Sequence, residues 1–223
     1  VRVPQINMDR GLYKLREEVS DEQAVFIEPL ACVARGQRLV GMPRGGTVLV
    51  LGSGIAGLLH IRLARSSGAG RVIATDVVDY RKDAAMRSGA DVVIDGREDV
   101  PVHVKSANAG RFADVVITCT GAPRAIAQGL SSVDRGGKVL FFAPTEPTAK
   151  VDLPFNALWR EEVTLTSSYG GAPQDIHAAI ELLRTGKVHV DDLITHRLPL
   201  ERAGEGFRLV ASAQDSIKVI LRP

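Results

Sequence analysis

Cysteines and aromatics are scarce in this chain, neither charge sign prevails, and no apolar run is long enough to cross a membrane. The 223 residues hold two cysteines, Cys32 and Cys119, far apart and in no C-x-x-C pair. That argues against a disulfide scaffold and reads as a cytoplasmic protein without disulfides. Six Phe, three Tyr and one Trp, with a formal net charge of only +2 from interspersed acids and bases, argue against a basic, aromatic surface for nucleic acid. The most apolar stretch, around 47–61, is broken by three glycines and His60, so it is no membrane span. No secretory signal is visible, and Val1 in place of Met reads as a processed or truncated start. With 45% apolar residues, the length suits one large or two small domains around a real core.

What is present is a spaced glycine motif. The apolar run Thr47-Val-Leu-Val-Leu51 is followed by Gly52-Ser-Gly-Ile-Ala-Gly57, a helix-like segment Leu58–Arg65, and a second apolar run Val72–Thr75 that ends in Asp76. A lone G-x-G-x-x-G is weak. Between two strands, opening a helix and followed by an acid 24 residues after Gly52, it reads as a dinucleotide-binding unit. Gly52 permits the tight turn, Gly54 lets a pyrophosphate approach the backbone, and Gly57 lets the helix pack on the strand. The helix N-terminus offers free N–H groups and partial positive charge to the phosphates. Asp76 would accept hydrogen bonds from the adenosine ribose and repel a 2′-phosphate, favouring NAD over NADP. Arg81 weighs the other way, because a nearby arginine accommodates that phosphate.

The alternation continues along the chain. The pattern predicts a helix over 81–88, a strand over 91–94, an irregular 95–112 with room for a short helix, and a strand over 113–118. A helix over 124–130 with Pro123 at its first position and strands over 138–142 and 163–166 follow. Six strands alternating with helices imply an α/β fold with a parallel sheet covered on both faces. The ends read differently. A helix is expected over 21–36 before the core, and helix 174–184, an extended piece 193–198, helix 201–210 and strand 217–221 after it.

Further residues carry a family resemblance. Phe26-Ile-Glu-Pro-Leu30 precedes the glycine turn, and Thr195-His-Arg-Leu-Pro-Leu-Glu201, with Ala203 and Phe207, follows the sheet. Together with Gly52–Gly57 and Asp76 they resemble the zinc-dependent medium-chain alcohol/polyol dehydrogenases, in particular the sorbitol and threonine dehydrogenase branch. The likeness runs in order through essentially the whole chain. It implies a Rossmann-type doubly wound parallel sheet of about six strands, with remnants of a second, catalytic lobe at both ends. Residues 1–38 would be one remnant and its linking helix, 39–170 the NAD-binding domain, and 171–223 the segment that returns to the lobe. It also implies hydride transfer between an alcohol carbon and NAD, a small-molecule alcohol substrate, zinc in the intact enzyme, and a homo-oligomer paired at the last core strand. The lobe that supplies zinc ligands and the proton relay, on the order of 100 residues, is expected outside this chain. A four-cysteine structural zinc lobe is excluded by the cysteine count. By itself the chain is then expected to bind NAD and to turn over alcohol poorly or not at all.

The resemblance assigns roles by position. Gly52, Ser53, Gly54, Ile55, Ala56 and Gly57 match the pyrophosphate turn, Asp76 the ribose acid and Arg81 the residue near the adenine. Cys119 and Thr120 match the segment flanking the adenosine. Phe142, Ala143 and Pro144 match the backbone that meets the nicotinamide amide, with Ser167 and Tyr169 as weaker matches across that pocket. Glu28 matches the acid beside the catalytic zinc, and no catalytic residue is assigned to this chain. Plainer readings stand beside these. Glu28 equally suits a helix-start acid, while Cys32 and Cys119 suit packing. His60 suits a packed or subunit-facing histidine, His196 structural hydrogen bonds between lobes, and Trp159 packing or an interface. His103, His177 and His189 show no metal-ligand spacing. A non-catalytic redox-sensing or regulatory nucleotide module needs the glycine turn and Asp76, but neither Glu28 nor the 195–201 segment. A short-chain dehydrogenase needs Tyr-x-x-x-Lys, yet Glu17, Ala84 and Pro173 follow Tyr13, Tyr80 and Tyr169 at that spacing. An empty structural remnant leaves the ordered cofactor motif without a purpose.

Overall fold

The computed structural model describes residues 2–15 and 17–223, so Val1 and Arg16 of the expected 1–38 segment lie outside the described residues. In chain order the elements are α1 (Gln5–Gly11), α2 (Asp21–Ala24), α3 (Ile27–Val40), β1 (Thr47–Leu51), α4 (Ile55–Ser66), β2 (Arg71–Asp76), α5 (Asp79–Arg87) and β3 (Val92–Asp95). They continue with α6 (Val100–Ala107), β4 (Ala113–Thr118), α7 (Pro123–Leu130), β5 (Val133–Phe141), α8 (Phe155–Arg160), β6 (Thr164–Ser167) and α9 (Pro173–Arg184). After a 3-10 turn at Asp191–Leu193 come β7 (Ile194–Pro199), a second such turn at Leu200–Arg202, α10 (Ala203–Ser212) and β8 (Lys218–Arg222).

Six strands form one parallel sheet in the order β3-β2-β1-β4-β5-β6. β1 is buried at every residue, and its alternating side chains explain why it reads as a continuous apolar run. Val48 and Val50 enter a core with α3 and α4. Leu49 and Leu51 enter a second core with α6, α7 and α8. Burial on both faces leaves no polar face to alternate with. The doubly wound α/β architecture expected from the sequence is the one observed.

Local chemistry fixes the element ends. Asp99 accepts from the Val102 N–H at the start of α6, and Pro123 opens α7. Gly41, at φ 67°, ends α3 in a left-handed turn. Three expectations need correction. Residues 21–36 form two helices, because Phe26 turns into the core, fully buried, between α2 and α3. α3 also runs through Gly36 to Val40. Gly36 does not terminate the helix but brings it close to the sheet, since a Cβ there would meet Leu140 at 3.0 Å. β5 starts at Val133 and absorbs Gly136–Gly137 at a register shift opposite Ala113 and Val115.

The chain ends pack on this core. Arg38 of α3 makes two hydrogen bonds, of 3.1 and 3.3 Å, to the buried carboxylate of Asp175, which also accepts from Ala172 N–H at the start of α9. Arg62 of α4 grips Asp192 with two bonds of 2.7 and 2.6 Å. β7 and β8 form a separate parallel pair under α10. Glu22 of α2 accepts from Arg197 at 2.8 Å and from Arg222, which joins the N-terminal helices to that pair. No helix among the described residues is long and apolar enough to cross a membrane.

Candidate functional site

In an open parallel sheet, ligands sit beyond the carboxyl ends of the strands where the winding direction reverses. Here the reversal lies between β1 and β4. A cleft of 320 Å³ opens at that point, lined by Gly52, Gly54, Asp76, Arg81, Cys119 and Thr120 among others.

Gly52 turns the chain out of β1 at φ 91°. A Cβ on it would press the Cys119 carbonyl and the Thr120 side chain at 3.3 Å. At Gly57 a Cβ would overlap the Gly52 carbonyl oxygen, so the first turn of α4 reaches its place only with glycine there. α4 begins without a side-chain cap and without an acid in its first turn. Its first N–H groups, including those of Ile55 and Ala56, lack intrahelical partners and face an open end of positive dipole.

Asp76 ends β2 and is nearly buried at 8% exposure. Its Oδ2 accepts from Ser53 N–H at 2.8 Å, and its Oδ1 from Val77 and Val78 N–H at 2.8 and 3.0 Å. One carboxylate thus anchors the glycine turn and still borders the cleft. Ser53 is fully buried and its hydroxyl donates to the Thr75 carbonyl at 3.1 Å, so its N–H and side chain both serve the turn.

Three guanidinium groups face the same cleft. Arg81 Nε is buried without a partner among the described residues. Arg97 binds Asp95 through Nε and Nη2, both at 2.9 Å, and donates to Val77 O at 2.7 Å. This guanidinium holds the Asp95 carboxyl well below the usual carboxylate range, and the carboxylate raises Arg97 in turn. Arg124 donates to the Arg97 carbonyl at 2.5 Å. Neither Arg97 nor Arg124 is among the residues that the glycine motif or the family resemblance points to. Arg97 stands just past Asp95, the β3 residue paired with Asp76, and Arg124 stands in the first turn of α7, so the assembled sheet and helix bring them to the cleft.

Cys119 and Thr120 share the cleft lining, whereas Phe142–Pro144, Ser167, Tyr169 and Glu28 are not among its lining residues. Cys119 donates its N–H to Leu51 O at 2.8 Å, and burial pushes its thiol up. Phe142 and Ala143 donate their N–H groups to Thr118 O at 3.1 Å each, and the Pro144 carbonyl sits so close to Gly121 that a Cβ there would overlap it. Ser167 and Tyr169 are exposed, Tyr169 at 99%. Glu28, in the first turn of α3, accepts from Cys32 Sγ at 3.2 Å, and the Cys32 thiol is pushed up to about 11 by burial and by that carboxylate. No group of three or more His, Cys, Asp or Glu suited to a metal ion occurs among the described residues. A zinc ion therefore does not fit this set of residues, whereas the glycine turn, the open helix end and the cationic cleft fit a dinucleotide.

The family model described as zinc-binding dehydrogenase matches residues 56–185. An L-threonine 3-dehydrogenase of Bacillus licheniformis is 31% identical over 225 residues, covering 100% of this chain and 63% of that protein. A sorbitol dehydrogenase of Halalkalibacterium halodurans is 31% identical over 224 residues, covering 98% and 64%. Among solved structures, the alcohol dehydrogenase TADH from Thermus sp. ATN1 superposes with a TM-score of 0.88 at 26% identity, over 95% of this chain and 61% of that one. The chain thus spans less than two thirds of the length of each of these relatives.

Proposed function

The chain belongs to the zinc-binding dehydrogenase family, and from that premise we propose that it binds NAD at the switch-point cleft as the cofactor-binding part of an alcohol or polyol dehydrogenase. The observation that carries this reading is Asp76, one carboxylate that fixes the glycine turn through Ser53 N–H and also borders the cleft beside it. The acceptor site left open on its Oδ2 would accept a ribose hydroxyl. The open N-terminus of α4 would take the pyrophosphate over Gly52, Gly54 and Gly57, assisted by the positive field of Arg81, Arg97 and Arg124. Thr120 and Cys119 would flank the adenosine. The Phe142–Pro144 backbone would meet the nicotinamide, with Ser167 and Tyr169 on the far side. When bound, the nicotinamide supplies the hydride chemistry. The residues of this chain bind and orient it.

Residues 39–170 are read as the cofactor domain, and 1–38 and 171–223 as parts of a second lobe. Zinc belongs to that reading of the longer protein, and Glu28 is the single candidate ligand among the described residues. The partners proposed are a small-molecule alcohol and a second copy of the chain at the β6 edge, in a cytoplasmic setting.

Calorimetric titration of NAD and NADP into the chain and into Asp76→Ala tests the reading. NAD is expected to bind, more tightly than NADP, and Asp76→Ala to lose most of that affinity. Absence of binding by either nucleotide would overturn it.

A further inference from the structure

His60 lies on α4, one turn beyond Gly57, and is completely buried. Gln37 of α3 donates from Nε2 to His60 Nδ1 at 3.2 Å and to the His60 carbonyl at 2.8 Å. A carbonyl only accepts, so this contact fixes which end of the Gln37 amide faces the histidine and places the ring proton on Nε2. Neither His60 Nε2 nor Gln37 Oε1 has a partner among the described residues. The imidazole meets the Phe142 ring edge-on, with centroids 4.5 Å apart and planes at 89°. Gly36 of α3 meets both rings at the same corner, where a Cβ would come within 3.3 Å of Phe142 and 3.5 Å of His60. The Phe142 ring thus meets α4 at His60 and α3 at Gly36 just where the chain leaves β5.

This arrangement costs stability. A buried polar atom left unpaired is destabilising, and replacing such a pair with apolar groups of similar shape is neutral or stabilising. Packing alone therefore does not account for an imidazole here. We infer that His60 is a positioning residue that sets Phe142, and with it the Phe142–Pro144 backbone, to receive the nicotinamide half of the cofactor. It connects the helix that faces the pyrophosphate to the strand end that faces the nicotinamide. The inference rests on the proposed NAD site, and specifically on nicotinamide meeting that backbone.

The test compares NADH with ADP-ribose, which shares the adenosine and pyrophosphate but lacks the nicotinamide. Affinities and melting temperatures are measured for the unchanged chain, for His60→Leu, and for Gln37→Met, which keeps side-chain volume while releasing the imidazole. The unchanged chain is expected to bind NADH more tightly than ADP-ribose. His60→Leu is expected to hold ADP-ribose affinity within about twofold and to weaken NADH about tenfold, with the melting temperature unchanged or raised. Gln37→Met gives the same split at smaller size, and decides the matter if His60→Leu does not fold. Equal loss of both ligands, or loss of neither, overturns the positioning role. An unchanged chain that binds both ligands equally removes the nicotinamide contact and overturns the inference while leaving the adenosine site standing. One that binds neither overturns the NAD reading itself.

Discussion

A single buried imidazole gives the clearest signature at the scale of the residue. Burial lowers the pKa of His60 from 6.5 to about 3, so it is neutral in the folded chain and protonates readily only when unfolded. The sign follows from linkage. The folded state binds fewer protons than the unfolded one between those two values, so the contribution is intact above pH about 6.5 and is lost as the pH falls towards about 3. Each pH unit in that window removes about 1.4 kcal/mol. Urea denaturation at pH 7 and pH 5 is expected to show the unchanged chain losing more stability than His60→Leu, by about 2 kcal/mol. Parallel losses in the two proteins would mean that the imidazole takes up its proton in the folded state.

At the scale of the element, legibility followed how local the determining physics is. β1, β2 and β4 were readable as short apolar runs because both faces of the sheet are covered, and α7 because Pro123 marks its start. The glycine turn and Asp76 were readable because their spacing is itself the motif. The split between α2 and α3 was not readable, since it depends on Phe26 finding a core built from residues far along the chain. Gly36 resembled a helix stop only because the sheet it touches is invisible in sequence. Arg97 and Arg124 joined the cleft through the pairing of β2 with β3 and the placement of α7, which a single segment does not record. α2 also carries a prediction. The guanidinium groups of Arg197 and Arg222 hold the Glu22 carboxyl down at about 2, against an ordinary 4.5. The link to β7 and β8 is therefore complete above pH about 4.5 and is lost as the pH falls towards about 2. Glu22→Gln should mimic the acid state at neutral pH, with faster proteolysis and amide exchange over residues 17–26 and an unchanged core. Equal protection in both proteins would show that the ion pairs do not hold the segment.

At the scale of the whole molecule the sheet has an unpaired edge where it would most readily grow. β6 ends the strand order, and α8, which leads into it, exposes Phe155 at 74% and Trp159 at 70%. An open strand edge beside exposed aromatics is costly to leave in water, and a second copy pairing there would satisfy the backbone and cover the rings. Trp159 is also the single tryptophan of the chain, so its fluorescence reports on this surface alone. Emission is expected to shift to shorter wavelength as protein concentration rises, in step with a sedimentation coefficient moving from monomer to dimer. Phe155→Glu should keep the protein monomeric with red-shifted emission at all concentrations. It should also leave the melting temperature of the dilute protein unchanged, because the side chain it replaces packs on little within the chain. A blue-shifted emission that ignores both dilution and Phe155→Glu would mean that Trp159 is covered by its own chain, and would remove this edge as the site of assembly.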